Sequence, residues 1–346
     1  MRSSSWSGSW LRPTLPRPLP RPRALTIDIS IQDLGSLGGR VAQAKAVNSR
    51  GEVVGTGRDL LGRSRAFRWS EGGLLTDLLG DTNPFGGDAS SANDINDLGQ
   101  IVGGMDTGLG GFHAWLLSDG ARFDLGTLGG PLSEAHAVNR SGQVAGQSRV
   151  SAAGATHAFW LSEPGRMIDL GTLGGATSVA HDLNDASQVV GFSLTGAGLP
   201  RAFLWTMEGR MRDLGHLGDA PSVALGINNR GQVVGSSGHA FLWTAGSGMK
   251  DLGTLGGRTS SAGDINDAGY IVGASQLDRT DPRGTALSHA FLRTPGGGLV
   301  DLGTLGGQHS QAAALAEEAG GILRIAGQSH DAGGEIRPVL WTVRVG

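Results

Sequence analysis

The chain has 346 residues, of which 61 are glycine and none is cysteine, and its net charge is −3. Without cysteine it can form no disulfide framework, thiolate nucleophile or zinc–thiolate site. A hydrophobic content of 38 % and a charged content of 17 % exclude a highly charged disordered chain, and no apolar run reaches the length of about 18 residues that predicts a membrane span.

Residues 1–23 differ in composition from the rest of the chain. They contain five of the 28 basic residues, none of the 31 acidic ones, and several prolines. This pattern predicts a disordered Pro/Arg-rich arm, and it lacks the apolar core of a secretory signal peptide. The remaining chain, 24–346, is acidic. We therefore expect no nucleic-acid partner, because backbone-driven nucleic-acid binding needs a basic surface.

A repeated phrase organises residues 24–346 as one domain. The sequence DLGxLGG, or a variant of it, recurs at intervals of 38 to 50 residues, beginning at Asp33, Asp77, Asp124, Asp169, Asp213, Asp251 and Asp301. Between successive phrases stand a short apolar piece such as VVG (233–235) and an aromatic run such as HAFLW (239–243). Seven coherent copies are a signature of a repeat architecture.

The repeat resembles the bacterial extracellular HAF-repeat family, named for the His-Ala-Phe that stands here at 157–159, 239–241 and 289–291. The resemblance covers about residues 24–346. It implies an extracellular or cell-surface location, and it supplies no established chemistry.

Each copy is interpreted as four strands. Strand A is the small-residue piece around SxAxxIN, strand B is QVVGxS, strand C is HAFLW, and strand D is MxDLG. Short Gly-containing links between A and B and between C and D predict antiparallel neighbours. Phe241, Leu242 and Trp243 of one strand C are consecutive apolar residues, so both faces of that strand should be covered.

This pattern predicts an all-β fold, a seven-bladed β-propeller of four-stranded antiparallel blades. Residues 24–34 supply a strand D before the first strand A, whereas the last copy ends after strand C. We expect this N-terminal strand to join the C-terminal blade and close the ring. A β-solenoid is the alternative. Residues 310–320 (SQAAALAEEAG) could form either a strand or a helix, because Ala and Glu favour helix locally.

Three recurring motifs are weighed as sites and interpreted as structural. The DxNDxG strings at Asp94 and Asp264 lack the ligands of an EF-hand calcium loop and are interpreted as turns. The repeat histidines should lie in separate blades and make structural hydrogen bonds, so no metal site is predicted; they are His113, His157, His239 and His289. DLGTLGG lacks phosphate-loop spacing and is interpreted as a link between blades.

No catalytic residue and no cofactor are predicted, and the protein is expected to be a non-enzymatic monomer. The variable loops lie mostly between strands B and C, so one rim should carry recognition. The longest loop, 274–288, supplies the candidate binding residues Asp278, Arg279, Asp281 and Arg283. The expected partner is a macromolecule or a glycan. The alternatives are a glycan-binding lectin and a hydrolase or lyase with a site in the central channel.

Overall fold

A computed structural model describes residues 26–80, 86–163, 165–318 and 320–345. These residues form 28 β-strands, and within them no helix occurs that is long and apolar enough to cross a membrane. The predicted arm, residues 1–23, lies outside the described residues.

The strands pair antiparallel in groups of four, and in six of the seven groups the four strands are consecutive. Single parallel pairs, Ser288 with His309 and Val41 with Ile336, join three of the groups into one 12-stranded sheet. We name these groups units. Unit 1 comprises β2 (Gly38–Val47), β3 (Val53–Asp59), β4 (Ser64–Trp69) and β5 (Thr76–Asp77). Unit 2 comprises β6 (Ser90–Ile95), β7 (Ile101–Asp106), β8 (Phe112–Ser118) and β9 (Ala121–Asp124). Unit 3 comprises β10 (Ser133–Val138), β11 (Val144–Arg149), β12 (Thr156–Leu161) and β13 (Met167–Asp169).

Unit 4 comprises β14 (Gly174–Leu183), β15 (Val189–Thr195), β16 (Pro200–Thr206) and β17 (Arg210–Asp213). Unit 5 comprises β18 (Val223–Ile227), β19 (Val233–Ser237), β20 (His239–Thr244) and β21 (Gly248–Asp251). Unit 6 comprises β22 (Gly256–Ile265), β23 (Ile271–Thr280), β24 (Ala286–Arg293) and β25 (Leu299–Asp301). The prediction of an all-β fold built from four-stranded antiparallel sheets is confirmed.

Unit 7 combines the two ends of the described chain. It contains β26 (Gly306–Glu318), β27 (Ile322–Asp331), β28 (Ile336–Val345) and, as its fourth strand, β1 (Ile27–Asp33). Strand β1 runs antiparallel to β28 over its whole length, with Ile27 opposite Val345 and Asp33 opposite Val339. Residues 310–318 are therefore strand: Ala312 and Leu315 of β26 are buried, and the packing outweighs their local helix preference.

The aromatic runs form the core. The phenylalanines of five copies are fully buried, namely Phe67, Phe159, Phe203, Phe241 and Phe291, and so are Trp115, Trp205 and Trp341. Each fully buried side chain of this size contributes roughly 2–3 kcal/mol of hydrophobic stabilisation. The prediction that both faces of strand C are covered is confirmed.

The buried side chains gather in clusters that lie between successive units. One cluster joins Val102 of unit 2 to Phe159 of unit 3, and another joins Val272 of unit 6 to Trp341 of unit 7. A further cluster packs Leu340 of unit 7 against Phe67 of unit 1. Every unit thus shares a core with the unit after it, including the last with the first.

The DLGxLGG phrase is the link between units, as predicted. In one copy Asp169 accepts a hydrogen bond from the N–H of Gly171, which has a φ of 73°. The hydroxyl of Ser178, in the next unit, accepts from the N–H of Ala158 at 2.8 Å and donates to the carbonyl of Gly171 at 2.6 Å. Because side chains of one unit satisfy the backbone of the preceding one, these links hold adjacent units in register.

Candidate functional site

The first strand of every unit contains an irregularity at the same place. The pairing with the second strand skips one residue, as in a β-bulge, and these unpaired residues are Lys45, Asn93, His136, His181, Leu225, Gly263 and Ala313. In units 1 to 4 the residue is large and polar or ionisable. In units 5 to 7 it is Leu, Gly or Ala. The repeat therefore changes character from one side of the molecule to the other.

The polar bulge residues of units 1 to 3 are joined in a hydrogen-bond network. Lys45 Nζ donates to Asn93 Oδ1 at 2.6 Å, and Asn93 Nδ2 donates to Glu134 Oε1 at 2.9 Å. Ser91 also donates to Glu134 Oε1, at 3.2 Å. Burial lowers the pKa of Lys45, and the charge of Glu134 opposes that effect.

Glu134 is held in its ionised form. Burial alone would raise the pKa of this carboxyl, but the imidazole of His136, the amide of Asn93 and the charge of Lys45 hold it at about 2. Glu134 Oε2 lies 3.7 Å from Nε2 of His136. The carboxylate thus has the His136 ring beside it and is linked to Lys45 through Asn93, and such clusters of shifted groups are typical of functional sites.

Two histidines extend this network into unit 4. His136 Nδ1 lies 2.7 Å from the carbonyl of Ala180, which requires that this nitrogen be the protonated one. The His136 ring stacks on His181 at 5.8 Å, and His181 stacks on Phe192 at 5.9 Å. Burial, reinforced by the charge of His136, lowers the pKa of His181 to about 4, so His181 is neutral at pH 7.

Three aspartates follow the bulges in units 2, 4 and 6. Burial raises the pKa of Asp94 to about 7 and also raises those of Asp182 and Asp264, and backbone hydrogen bonds oppose the shift. The charge of Asp264 contributes to the raised pKa of both Asp94 and Asp182. The three carboxyl groups therefore interact with one another.

A polar cavity of about 420 Å³ lies where the turns between first and second strands meet. One asparagine from each of units 1 to 6 lines the cavity, namely Asn48, Asn96, Asn139, Asn184, Asn228 and Asn266. Each of the first five donates its side-chain N–H to the backbone carbonyl of the asparagine in the next unit, as Asn139 does to Asn184 at 3.1 Å. In unit 7 the equivalent residue is Ala316, and Asn266 donates to the side chain of the following residue, Glu317, at 3.3 Å.

The DxNDxG strings are built as turns. Asn96 Oδ1 accepts from the N–H groups of Leu98 and Gln100, both at 3.0 Å. Asp94 accepts from the N–H of Ile95 within the same string. The side chains that suggested a calcium loop thus satisfy backbone groups.

The repeat histidines make the structural contacts that the sequence predicts. Nδ1 of each lies 2.8–2.9 Å from a carboxylate oxygen of the DLG aspartate in the same unit, pairing His113 with Asp124, His157 with Asp169, His239 with Asp251, and His289 with Asp301. In unit 1 Arg65 takes the place of the histidine, 3.7 Å from Asp77.

The predicted binding residues lie on an extended hairpin formed by β23 and β24. Asp278 and Arg279 line a cavity of about 750 Å³ together with Arg258. Asp281 instead caps the hairpin turn, accepting from the N–H groups of Arg283 and Thr285. Arg283 is exposed at the tip, outside the lining of that cavity. The structure therefore brings two of the four candidates into one cavity.

The network around Glu134 is the part of the site that sequence reasoning missed. Its residues occupy variable positions of strand A, on either side of one alanine that every copy keeps, as at Ala135. An alignment of the seven copies would have shown Lys45, Asn93, His136 and His181 at one position. The β-bulge that leaves this residue unpaired could not be inferred from the sequence pattern of the repeat.

No family model matches the chain, and no curated protein matches it. Among solved structures it is similar to a puromycin hydrolase (S511A mutant complexed with PGG) at a TM-score of 0.53 and 14 % identity. That match covers 87 % of this chain and 53 % of the hydrolase, so the chain spans about half of that protein.

Two further structures are similar at lower TM-scores. The BP39L lectin from Burkholderia pseudomallei has a TM-score of 0.46 and 10 % identity, over 86 % of this chain and 98 % of the lectin. The gluconolactonase XC5397 from Xanthomonas campestris has a TM-score of 0.41 and 14 % identity, over 91 % of both chains.

The similarity to the puromycin hydrolase contradicts the prediction that the protein is not an enzyme, because the chain shares its fold with that hydrolase. The physical reason for the error lies in the first strands of units 1 to 3. Lys45, Glu134 and His136 stand at positions that vary between the copies, and the structure brings them into one ionisable network that sequence reasoning missed.

Proposed function

We propose that the chain is a seven-bladed β-propeller of the HAF-repeat type, located outside the cell, that binds a partner through one rim. Each of the seven units would be one blade. The ring is supported by the core shared between Leu340 of unit 7 and Phe67 of unit 1, and by the pairing of β1 with β28. The cavity lined by turns from all seven units would be one mouth of the central channel.

The recognition rim is the one opposite that mouth, where the links between second and third strands lie. The observation that carries this proposal is the cavity of about 750 Å³ between Arg258, at the start of β22, and the β23–β24 hairpin. Arg258, Asp278 and Arg279 lie outside the structural motifs of the repeat and are all exposed. Irregular segments on a regular scaffold are the usual carriers of recognition.

Shortening the hairpin tests this function. In unit 5 a single residue, Gly238, joins the equivalent strands, with a φ of 75°. Replacing residues 276–288 by one glycine should therefore preserve the fold. The matched control replaces 194–200 in unit 4 in the same way.

Both variants and the full chain are assayed on arrayed glycans and on immobilised extracellular proteins. We expect the unit 6 variant to lose binding by at least about tenfold and the unit 4 control to keep it. Equal binding by all three proteins would contradict the proposed rim. Fractionation of the producing cells tests the location separately.

Acid–base catalysis in the channel is a second candidate, favoured by the ionised Glu134 beside His136 and Lys45. A carboxylate and an imidazole within reach of one bound molecule can act as base and acid. Screening of ester, lactone and glycoside substrates, with Glu134→Gln as the comparison, tests it. Turnover that the variant loses would support this candidate, and turnover that the variant keeps would contradict it.

A further inference from the structure

The molecule contains two equivalent pockets at the rim, each lying between consecutive units. One, of about 290 Å³, lies between units 2 and 3 and is lined by Phe112, Glu134, Gln147 and Arg149. The other, of about 150 Å³, lies between units 6 and 7. Its lining occupies the same repeat positions, with Ser288, Gln311, Gln328 and His330 in place of those four residues.

The equivalence is exact in the strand register. Glu134 is paired with Gln147 across β10 and β11, and Gln311 is paired with Gln328 across β26 and β27. No other unit has two long polar side chains at this pair. The corresponding pairs are Gln43–Thr56, Ser91–Gly104, Val179–Phe192, Val223–Ser236 and Ser261–Ala274.

The polar groups of both pockets have unused hydrogen-bonding capacity. Gln328 Oε1 is buried and accepts no hydrogen bond from the described residues. Gln147 and Arg149 are half-buried, and within the described ranges neither side chain has a hydrogen bond or ion pair. Buried polar groups normally have a partner, so Gln328 Oε1 points to a ligand that donates a hydrogen bond, and the half-buried Gln147 and Arg149 can supply further contacts.

The difference between the pockets restricts the class of ligand. Glu134 carries a charge whereas Gln311 at the same position does not, and the guanidinium of Arg149 is replaced by the imidazole of His330. A ligand that fits both pockets must be recognised by hydrogen bonds and not by its own charge. Closely spaced hydroxyl groups meet this requirement, because each hydroxyl both donates and accepts.

Each pocket also presents a ring. Phe112 packs over the backbone of Gly104, where an added Cβ would lie 2.1 Å from its Cε1. In the second pocket His309 and His330 form an edge-to-face pair at 5.1 Å. Burial lowers the pKa of His309, and the neighbouring His330 lowers it further. The His309 ring is therefore neutral and offers an apolar face. Rings beside polar groups suit a ligand with both C–H and O–H surfaces.

We propose that the two inter-unit pockets bind a neutral saccharide, one ring in each. The inference rests on the proposed recognition rim and names its ligand class. Asp281 on the β23–β24 hairpin is near enough to His309 to affect its pKa, so the second pocket adjoins the predicted binding loop.

The test uses a substitution that the chain itself contains. Phe192 occupies in unit 4 the position of Gln147 and Gln328, where it packs against His181. Gln147→Phe and Gln328→Phe should therefore fill the pockets without preventing folding. Ser236→Phe makes the same change in unit 5, where the pair is Val223–Ser236 and the Ser236 hydroxyl donates to the carbonyl of Ser260 in unit 6, and serves as the control.

The probes are neutral hexoses, 6-deoxyhexoses and pentoses at millimolar concentration, followed by ligand-observed NMR and calorimetry. We expect the full chain to bind at least one of them at two sites. Each Gln→Phe variant should bind at one site, the double variant at least about tenfold more weakly, and Ser236→Phe unchanged. Melting temperatures confirm that the variants fold.

Failure of this inference is distinct from failure of the proposed rim. If no sugar binds, if free amino acids bind in place of sugars, or if the double variant still binds the sugar, the saccharide assignment is wrong. If the double variant keeps a partner that the hairpin-shortened variant loses, the rim remains supported and only the saccharide assignment falls.

Discussion

The carboxylate of Asp182, in unit 4, accepts a hydrogen bond from the backbone N–H of Ile227 in unit 5 at 2.7 Å. Its other oxygen accepts from the N–H of Leu183 in its own unit, at 2.7 Å. One side chain thus satisfies the innermost strands of two units at the same time. The interaction belongs to the junction between repeats and not to either repeat alone.

The same junction contact occurs at alternate units. Asp94 accepts from Val138 at 2.8 Å and Asp264 accepts from Leu315 at 2.9 Å, linking unit 2 to 3 and unit 6 to 7. The units between them carry only Ala or Gly at this position. Units 7 and 1, which share a core, both lack the aspartate and carry Ala314 and Ala46 at this position. At that junction the β1–β28 pairing ties unit 7 to the start of the chain.

Ser178→Ala should destabilise the protein by about 1–3 kcal/mol. The substitution leaves the buried N–H of Ala158 and the carbonyl of Gly171 without their partner, and such a loss carries the cost of an unsatisfied buried polar group. Urea unfolding gives the free energy of unfolding of both proteins. Ser70→Ala, at an exposed turn, is the control and should be neutral. Equal stability of all three proteins would show that the Ser178 hydroxyl is dispensable.

A disulfide between β1 and β28 should stabilise the protein by about 2–4 kcal/mol, because it would tie two distant parts of the chain together. Ser30 and Thr342 are direct partners in the strand register, and the natural chain has no cysteine to compete. The variant with Ser30→Cys and Thr342→Cys is compared with and without reductant by its melting temperature. Failure to cross-link under oxidation would contradict the proposed closure of the ring.

Much of the fold could be predicted from the sequence because the repeat positions carry the packing. Phe241 and Trp243 recur with the period of the units, and their burial on both sides required neighbouring copies. The same reasoning predicted the pairing partner of β1, since only the last copy lacks a fourth strand. Residues 310–318 were ambiguous because their composition favours helix while their pairing with β27 requires strand.

The candidate site could not be predicted in the same way, because it lies where the copies differ. Gln147 and Gln328 are ordinary polar residues in sequence. Their equivalence becomes clear only when the strand pairing places Glu134 and Gln311 opposite them. The aspartate of DxNDxG was compared with calcium ligands within one loop. Its partner, an N–H in the next unit, is about 45 residues away and invisible to a local motif.

His181→Phe should make stability less sensitive to acid. Burial lowers the pKa of His181 to about 4 from its ordinary 6.5, so the unfolded chain binds the proton more strongly and stability is lost as the pH falls through that interval. Phenylalanine stacks between His136 and Phe192 without titrating. Relative to the natural protein, the variant should gain about 1–3 kcal/mol between pH 7.5 and pH 4.5, measured by urea unfolding. Parallel pH curves would refute the neutral stacked imidazole.

Asp94→Asn should change the pH dependence in the opposite direction. Burial raises the pKa of Asp94 to about 7, so between about pH 4 and pH 7 the folded protein holds a proton that the unfolded chain releases. A group with a raised folded pKa stabilises the protein below this interval, and that stability is lost as the pH rises through it.

The natural protein should therefore lose stability relative to Asp94→Asn as the pH rises from 4.5 to 7.5. Asparagine has the shape of the protonated carboxyl and keeps one acceptor for the N–H of Val138. Urea unfolding at four pH values in this interval measures the difference, and Asp182→Asn should show the same sign because Asp182 is shifted in the same direction. Comparison with each variant also removes the opposing contribution of His181, which both proteins share. A difference that stays constant with pH would show that these carboxyl groups titrate normally in the folded protein.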